Sequence, residues 1–374
     1  MPVRTELKEF YWFSALFSFA MALVVIFEPV FFYQAGFSLA QIGLFYGLHY
    51  SLYLLLLPLG GKFAARFGLE RSLALSLPLF MLYFLILAAV ASHLALFWVA
   101  WAILALFKIF YWPAYYAQFA RHGNALNRGS EVSLGFVLNL GTGVLGPAIG
   151  GVVAAWFGFP VLFLGVALVG LFAAVPLLAT TEHYQLQPFP YASAWRIIAS
   201  RRHRRMVVAT LGWVEDFVQL VFWPVFAFMV LKTTAVLGLV ASTSVLVMSL
   251  LAFFVGEGMD RTSAKTILRK TVPFMSIVYL LRLLATSVGK IFFVHMLALS
   301  ADMAVKIPFL GKVYGEARRR GALTYVVAFE MVLSAAKAGV ALVLAGVFFW
   351  WGADAGFTAA FIGAAAFALF YLYL

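Results

Sequence analysis

Nine charged side chains lie within long apolar stretches of the sequence, where they could carry protons, pair with each other or bind a charged solute. An ionisable side chain in the middle of a membrane costs about 2.5–3.5 kcal/mol on insertion scales, so such residues normally face a protein interior or a water-filled cavity. The nine are Glu28, Lys108, Glu215, Asp216, Arg282, Asp302, Lys306, Glu330 and Lys337. Their signs nearly balance, which predicts a cavity of mixed charge.

Three roles are open for the acids: carrying a coupling proton, forming permanent ion pairs, and binding a cationic group of a substrate. The candidate proton-coupling or cavity acids are Glu28, Glu215, Asp216, Asp302 and Glu330. Glu215 and Asp216 rank first for coupling, because two adjacent acids are not easily ionised together at membrane depth. Asp302 and Lys306 are four residues apart on a predicted helix, which favours a structural ion pair.

Helical spacing groups aromatic and polar residues with these charges, because residues three, four and seven positions apart share a face. Such stripes predict an aromatic-walled cavity, although ordinary helix packing accounts equally well for any single aromatic residue. The candidate substrate-binding residues are His49, Lys108, Tyr111, Tyr115, Gln219, His295, Lys306 and Lys337. The two histidines have an alternative role as hydrogen-bonded packing residues.

The same residues disfavour a membrane-embedded enzyme. The chain has no Cys, its histidines are isolated, and it has no H-E-x-x-H, G-x-S-x-G or Walker motif. We therefore expect no metal and no cofactor.

Composition identifies the elements that must position these residues. Of the 374 residues, 65% are apolar and 11% are charged, against roughly 45–50% and about 25% in soluble domains. Long continuous apolar runs indicate helices rather than barrel strands. The predicted fold is an all-α integral membrane protein with twelve spans near 10–33, 38–63, 71–91, 94–119, 131–156, 159–180, 206–231, 235–256, 267–288, 290–311, 322–350 and 355–374.

The net charge of +12 could indicate a nucleic-acid partner, but its distribution indicates membrane orientation instead. Of the 26 Lys and Arg residues, twenty fall in loops on one side, two on the other side and four within spans. The positive-inside rule places both termini in the cytoplasm. We expect a multi-pass protein of the cytoplasmic (inner) membrane that does not bind nucleic acid.

A shift of 195 positions superimposes the two halves of the sequence. It places Gly43 on Gly238, Pro113 on Pro308 and Trp156 on Trp351. Such internal symmetry is typical of transporters built from two bundles around a site at the membrane midplane. We predict six-helix bundles at 1–180 and 206–374, joined by a cytoplasmic linker at 181–205 that contains a surface helix.

Three stretches resemble the major facilitator superfamily. Gly60 to Arg71 and its repeat Gly256 to Lys265 are similar to the family's Gly-x-x-x-Asp-Arg-x-Gly-Arg loop, although Ala65 stands at the Asp position. Gly146-Pro147-Ala148-Ile149-Gly150-Gly151 resembles a motif often noted in exporters. The resemblance implies a monomer, with helices 1, 4, 7 and 10 around the cavity and helices 3, 6, 9 and 12 facing lipid. The implied conformational gating residues are Gly61, Arg66, Arg71, Gly256, Asp260, Arg261, Gly146, Pro147, Gly150 and Gly151.

The sequence therefore predicts a secondary active transporter that works by alternating access. Its expected partners are a small organic solute of amphiphilic, cationic or zwitterionic character, protons and membrane lipid. The motif at Gly146 to Gly151 in the fifth predicted span favours efflux. Lys108 stands near a position where proton-coupled family members often carry Arg, and this departure bears on proton coupling rather than on direction. The alternatives are proton-coupled uptake of a small anion or zwitterion, bound by Lys108, Lys306 and Lys337, and lipid or lysolipid transport. Few Asn and Gln residues lie within the spans, which disfavours sugars.

Overall fold

The computed structural model describes residues 2–122, 129–179, 189, 191–259 and 264–374, and these ranges are helical apart from short turns. A membrane offers no water to hydrogen-bond the backbone, so an apolar segment satisfies its peptide groups internally by forming a helix. No β-strand occurs in the described ranges, and the prediction of an all-helical fold is confirmed.

The N-terminal half contains α1 (Pro2–Val24), α2 (Glu28–Gln34), α3 (Leu39–Phe67), α4 (Leu69–Val90), α5 (Phe97–His122), α6 (Gly129–Phe157) and α7 (Phe159–Ala179). The C-terminal half contains α8 (Tyr191–Ala199), α9 (Arg204–Leu211), α10 (Glu215–Phe217), α11 (Trp223–Leu231), α12 (Thr234–Met259), α13 (Ala264–Leu281), α14 (Val288–Arg320) and α15 (Ala322–Ala368). Tighter 3-10 turns occur at Leu94–Leu96, Arg201–His203, Gly212–Val214, Arg282–Leu284 and Leu369–Tyr373, and a π-helical turn occurs at Val218–Phe222.

Eight helical stretches within the described part of the chain are long and apolar enough to cross a membrane. The apolar helices Gly141–Phe157 and Thr234–Leu250 are shorter. The count of twelve spans in two bundles stays a prediction.

The long helix α15 changes direction at Gly352, where φ is +78° and ψ is −171°. Glycine reaches a positive φ without strain because it has no Cβ atom. Across this turn the rings of Phe348 and Phe357 pack with their centroids 5.3 Å apart. The helix therefore has two arms. The turn between them lies where the sequence predicts the break between the last two spans, 322–350 and 355–374.

The most extensive contacts between the halves are made by two helix pairs: α3 packs along the first arm of α15, and α6 packs along α12. A Cβ atom placed on Gly43 would lie 3.0 Å from the Cβ of Ala345, and one placed on Gly151 would lie 3.1 Å from the Cα of Gly238. Small residues allow this close approach, and helix association in membranes depends on such packing. These contacts lie toward the side of the molecule opposite the linker.

The short helix α8 follows the N-terminal half in the sequence and packs against α15 of the C-terminal half. Trp195 and Arg196 are exposed on it, whereas Ala194 is buried. A helix that exposes both an aromatic ring and a cation suits the membrane surface. The division of the chain at 180 and 205 stays a prediction.

Candidate functional site

A central cavity of about 310 Å³ lies between the halves. Helices α1 to α5 form its wall on one side, and the α10 region with the first arm of α15 forms the other. The charged residues that line it are Glu28, Lys108, Asp216, Glu330 and Lys337, and the polar aromatic residues are Tyr46, Tyr50, Tyr53, Tyr83, Trp112, Tyr116 and Trp213. The predicted aromatic wall with charges of both signs is therefore present.

Two of the cavity acids are hydrogen-bonded by tyrosines. The hydroxyl of Tyr46 donates to Oε1 of Glu28 at 2.6 Å, and both residues belong to the N-terminal half. The hydroxyl of Tyr53 donates to Oε2 of Glu330 at 2.9 Å, and this bond joins α3 to α15 across the two halves. Neither acid forms an ion pair with any residue of the described ranges.

Lys108 is a cavity cation that forms no ion pair within the described part of the chain. Its Nζ lies 5.0 Å from the centre of the Tyr50 ring, and Lys337 approaches the same ring at 5.7 Å. A cation over an aromatic face is stabilised by the ring's quadrupole, but its charge is not neutralised. Lys108 can therefore still bind an anionic group.

A second group of charges, centred on Asp216, joins three helices. Oδ1 of Asp216 lies 2.7 Å from Nζ of Lys306 on α14, and Oδ2 lies 3.1 Å from Nζ of Lys337 on α15. Lys306 also lies 2.7 Å from Asp302 and 3.7 Å from Glu215. Asp216 is thus the shared partner of two lysines, and Asp302 and Lys306 form the predicted pair one turn apart.

Behind this group lies a buried polar layer around the π-helical turn Val218–Phe222. Glu215 accepts a hydrogen bond from the Tyr279 hydroxyl, and Arg282 donates to the side-chain oxygen of Gln219. The Arg282 guanidinium also lies 4.5 Å from the Trp223 ring centre and 4.3 Å from that of Tyr279. π-Helical turns frequently mark functional sites, and this one carries Gln219.

Arg282 is the buried charge of predicted span 9, whose residues Ile277 and Leu280 are exposed. The Arg282 side chain is fully buried because it extends from the 3-10 turn after α13 toward Trp223 of α11 and Phe361 of α15.

Several predicted binding residues lie outside the cavity wall. His49, Tyr111, Tyr115, Gln219, His295 and Lys306 do not line it, and neither do the acids Glu215 and Asp302. His49 is buried beside Tyr50 and Tyr53 of α3. Lys306 does not line the cavity itself but binds Asp216, which does. His295 accepts a hydrogen bond from the Trp223 indole at 3.0 Å.

Tyr111 and Tyr115 lie on the face of α5 that packs against α1, and not on its cavity face. The cavity face runs through Lys108, Trp112 and Tyr116 at intervals of four, whereas Tyr111 stacks on Phe17 of α1 at 4.5 Å. The strict four-residue interval was the signal in the sequence that could have identified Tyr116. No local pattern identifies Tyr83 or Trp213 as cavity residues. Tyr83 reaches the cavity from α4 and Trp213 from the turn Gly212–Val214, so neither shares a helix face with the α5 residues.

The predicted gating glycines of α6 pack against both halves. Gly146 and Gly150 lie against Ala22 and Leu23 of α1 in their own half. Gly151 instead meets α12, where the Thr234 hydroxyl donates to its carbonyl oxygen at 3.1 Å. Close contact with the other half thus involves Gly151, together with Pro147, whose carbonyl faces Gly238.

The loop motifs differ in how much of them the structure describes. Gly61 packs against Phe189 and Val327, and Arg66 is exposed with its guanidinium 5.4 Å from the Phe67 ring centre. Arg71 is exposed in the first turn of α4. In the repeat, Gly256 belongs to α12, whereas Asp260 and Arg261 lie outside the described residues.

Contacts between the halves lie on both sides of the cavity. On the linker side, Tyr314 of α14 packs against Tyr116 and Phe119 of α5, with ring centroids 6.3 and 6.0 Å apart. On the opposite side, the Gly43–Ala345 contact closes α3 onto α15. Separation of either set of contacts would widen the cavity on that side. In the described ranges, no group of three or more His, Asp and Glu side chains could hold a metal ion.

Comparisons with known proteins agree with this architecture. The family model of the Major Facilitator Superfamily matches residues 10–301. The structure of the human organic anion transporter MFSD10 (TETRAN) is similar with a TM-score of 0.66 and 17% identity, covering 100% of both chains. A mutant of the nucleoside transporter NupG is similar with a TM-score of 0.69 and 13% identity, and the match covers 99% of this chain and 98% of the NupG chain. A D-xylose-proton symporter is similar with a TM-score of 0.70 and 14% identity, and the match covers 98% of this chain and 97% of the symporter chain. No curated protein sequence matches the chain.

Proposed function

The chain belongs to the Major Facilitator Superfamily, and from this premise we propose that it is a secondary transporter that moves a small zwitterionic or cationic amphiphile by alternating access. The observation that carries the proposal is a cavity between the halves in which Lys108, Glu28 and Glu330 form no ion pair with a described residue. The Gly-Pro motif of α6 favours efflux as the direction.

The unpaired charges indicate the type of substrate. Lys108 offers an ammonium group with no carboxylate partner, and Glu28 and Glu330 offer carboxylates with no ammonium partner, within the described ranges. Buried charges are stabilised by pairing, so a solute carrying both signs would complement the site. The aromatic wall adds apolar contact and cation–π attraction. A volume near 310 Å³ lies at the small end of the usual range of about 300–1,000 Å³.

The alternative, uptake of a small anion held by three lysines, has less support. Lys306 and Lys337 are both bound to Asp216, which leaves Lys108 as the cavity lysine available to an anion.

A ligand-stabilisation screen of the purified protein, covering drugs, amino acids, lipids and organic acids, tests the substrate class. We expect zwitterionic and cationic amphiphiles to raise the melting temperature. Hydrogen bonds to charged groups contribute about 1.5–3 kcal/mol, so Lys108→Gln should weaken binding of zwitterions roughly ten- to hundredfold and spare purely cationic ligands. Stabilisation by small anions alone would favour the alternative.

We assign the coupling proton to Glu330. Protonating Asp216 would remove the counter-ion of Lys337, whereas protonating Glu330 breaks no ion pair with a described residue. Glu330 also lines the cavity and accepts the hydrogen bond from Tyr53 that joins the two halves. Its protonation state can therefore act on both the substrate and the contact between halves, as coupling requires.

Proteoliposome transport of Glu330→Gln tests this assignment. Because glutamine cannot release a proton, we expect proton-driven transport to be lost while counterflow exchange of substrate continues. Glu28→Gln is the matched control, since Glu28 is also a substrate-facing acid bonded by a tyrosine, but within one half. Both variants lose a carboxylate that faces the substrate and should show a raised KM, but only Glu28→Gln should keep the dependence of transport on the proton gradient. Intact proton-driven flux in Glu330→Gln would refute the assignment.

A further inference from the structure

A second cavity, of about 480 Å³, lies on the linker side of the C-terminal half. It is formed by the turn Arg201–His203, the start of α9 and the adjoining ends of α14 and α15. Four cations line it: Arg202, Arg205, Lys312 and Arg319. This cavity is separate from the central cavity and shares no lining residue with it.

The cations of this cavity are only partly neutralised. Glu316 is the acidic side chain in its wall, and it is engaged by Arg319 at 3.6 Å and by Arg320 at 3.0 Å. Arg202 and Arg205 are exposed and form no ion pair with residues of the described ranges. Two guanidinium groups therefore remain available to an anion.

A buried histidine provides an independent indication of a ligand. His203 is only 6% exposed and lines the cavity, yet neither ring nitrogen has a hydrogen-bond partner in the described structure. Buried polar groups without partners are rare in folded proteins. An oxygen atom of a ligand in the cavity would satisfy the imidazole.

The donor set fits a phosphate group. Guanidinium groups such as those of Arg202 and Arg205 bind phosphate oxygens through two parallel hydrogen bonds. Lys312 donates a hydrogen bond to the backbone oxygen of Leu374 at 2.8 Å, and its ammonium group adds a point charge to the cavity wall. Met206, Tyr325 and His203 also line a neighbouring small apolar pocket that includes Ile198 and Phe329. Apolar surface thus continues directly from the basic cavity.

We propose that the cavity formed by Arg202, His203, Arg205 and Lys312 binds a phosphate-bearing anion, either the headgroup of an anionic lipid or a soluble phosphate compound. Basic pockets on the cytoplasmic side of membrane proteins are suited to such headgroups. Since the wall combines the end of the linker with α14 and α15, the bound phosphate holds the linker against the C-terminal half.

Binding to the full-length protein tests the proposal, with pyrophosphate as the soluble probe and phosphatidylglycerol against phosphatidylcholine in nanodiscs as the lipid probe. We expect at least one phosphate-bearing anion to raise the melting temperature. The double variant Arg202→Gln/Arg205→Gln should bind it roughly tenfold more weakly or worse, because charge-assisted hydrogen bonds are lost. His203→Asn keeps both arginines and should also weaken binding.

The matched control is Arg269→Gln/Lys270→Gln, which removes two exposed cations of α13 outside the cavity. A response to phosphatidylglycerol alone identifies a lipid headgroup, and a response to pyrophosphate alone identifies a soluble phosphate compound; both support the site. The proposal is overturned if neither anion stabilises the wild-type protein, or if the control weakens binding as much as the cavity variants do.

Discussion

Asp216→Asn is expected to destabilise the folded protein strongly, and adding Lys337→Met is expected to restore most of the loss. Asp216 holds Lys337 at 3.1 Å and Lys306 at 2.7 Å. Lys306 keeps Asp302 at 2.7 Å after the change, whereas Lys337 loses its ion-pair partner. Removing one member of a buried pair costs about 3–5 kcal/mol, because the remaining charge has no partner. Asp216 borders the cavity and is 16% exposed, so we expect the low end of that range.

Thermal unfolding of the two single variants and the double variant measures this effect as a double-mutant cycle. Replacing both members of a buried pair by neutral groups is often harmless, so the double variant should be more stable than Asp216→Asn alone. The coupling energy should fall in the range of about 0.5–3 kcal/mol seen for residues in contact. Additive losses would mean that Asp216 and Lys337 do not interact.

The charged cavity could be predicted from the sequence because the cost of burying charge in a membrane leaves few alternatives. Lys108, Asp216, Glu330 and Lys337 each had to face a protein interior or a cavity, and each does. The Asp302–Lys306 pair followed equally from helical spacing. Energetic constraints of this kind depend on residue type and not on tertiary detail.

The aromatic contacts could not be predicted in the same way. Tyr111 and Tyr116 have similar neighbours in the sequence, and only the rotation of α5 puts Tyr116 at the cavity and Tyr111 against Phe17. The hydrogen bonds to Glu28 and Glu330 depend on how α3 is placed beside two other helices. The rotation and contacts of a helix are set by its neighbours, which periodicity does not identify.

The internal repeat predicts backbone similarity rather than chemistry. At the offset of 195, Tyr111 corresponds to Lys306. The tyrosine packs against α1, whereas the lysine binds Asp216. The dense group of ion pairs is thus a property of the C-terminal half, although the two halves match in glycine and proline positions.

Cross-linking the halves on the side opposite the linker is expected to stop transport completely. The sequence contains no Cys, so an introduced pair is free of competing thiols. A Cβ atom on Gly43 would lie 3.0 Å from that of Ala345, and small movements would bring the pair to the spacing of about 3.5–4.5 Å that disulfides require. A disulfide there would hold α3 to α15 and prevent the cavity from opening on that side.

Proteoliposome transport by Gly43→Cys/Ala345→Cys, measured reduced, oxidised and reduced again, tests the transporter proposal most directly. The two single-cysteine variants are the controls, and they should transport equally well under all three conditions. We predict that the double variant transports when reduced, stops when the disulfide forms and recovers after reduction. Undiminished transport by fully cross-linked protein would contradict alternating access through this cavity.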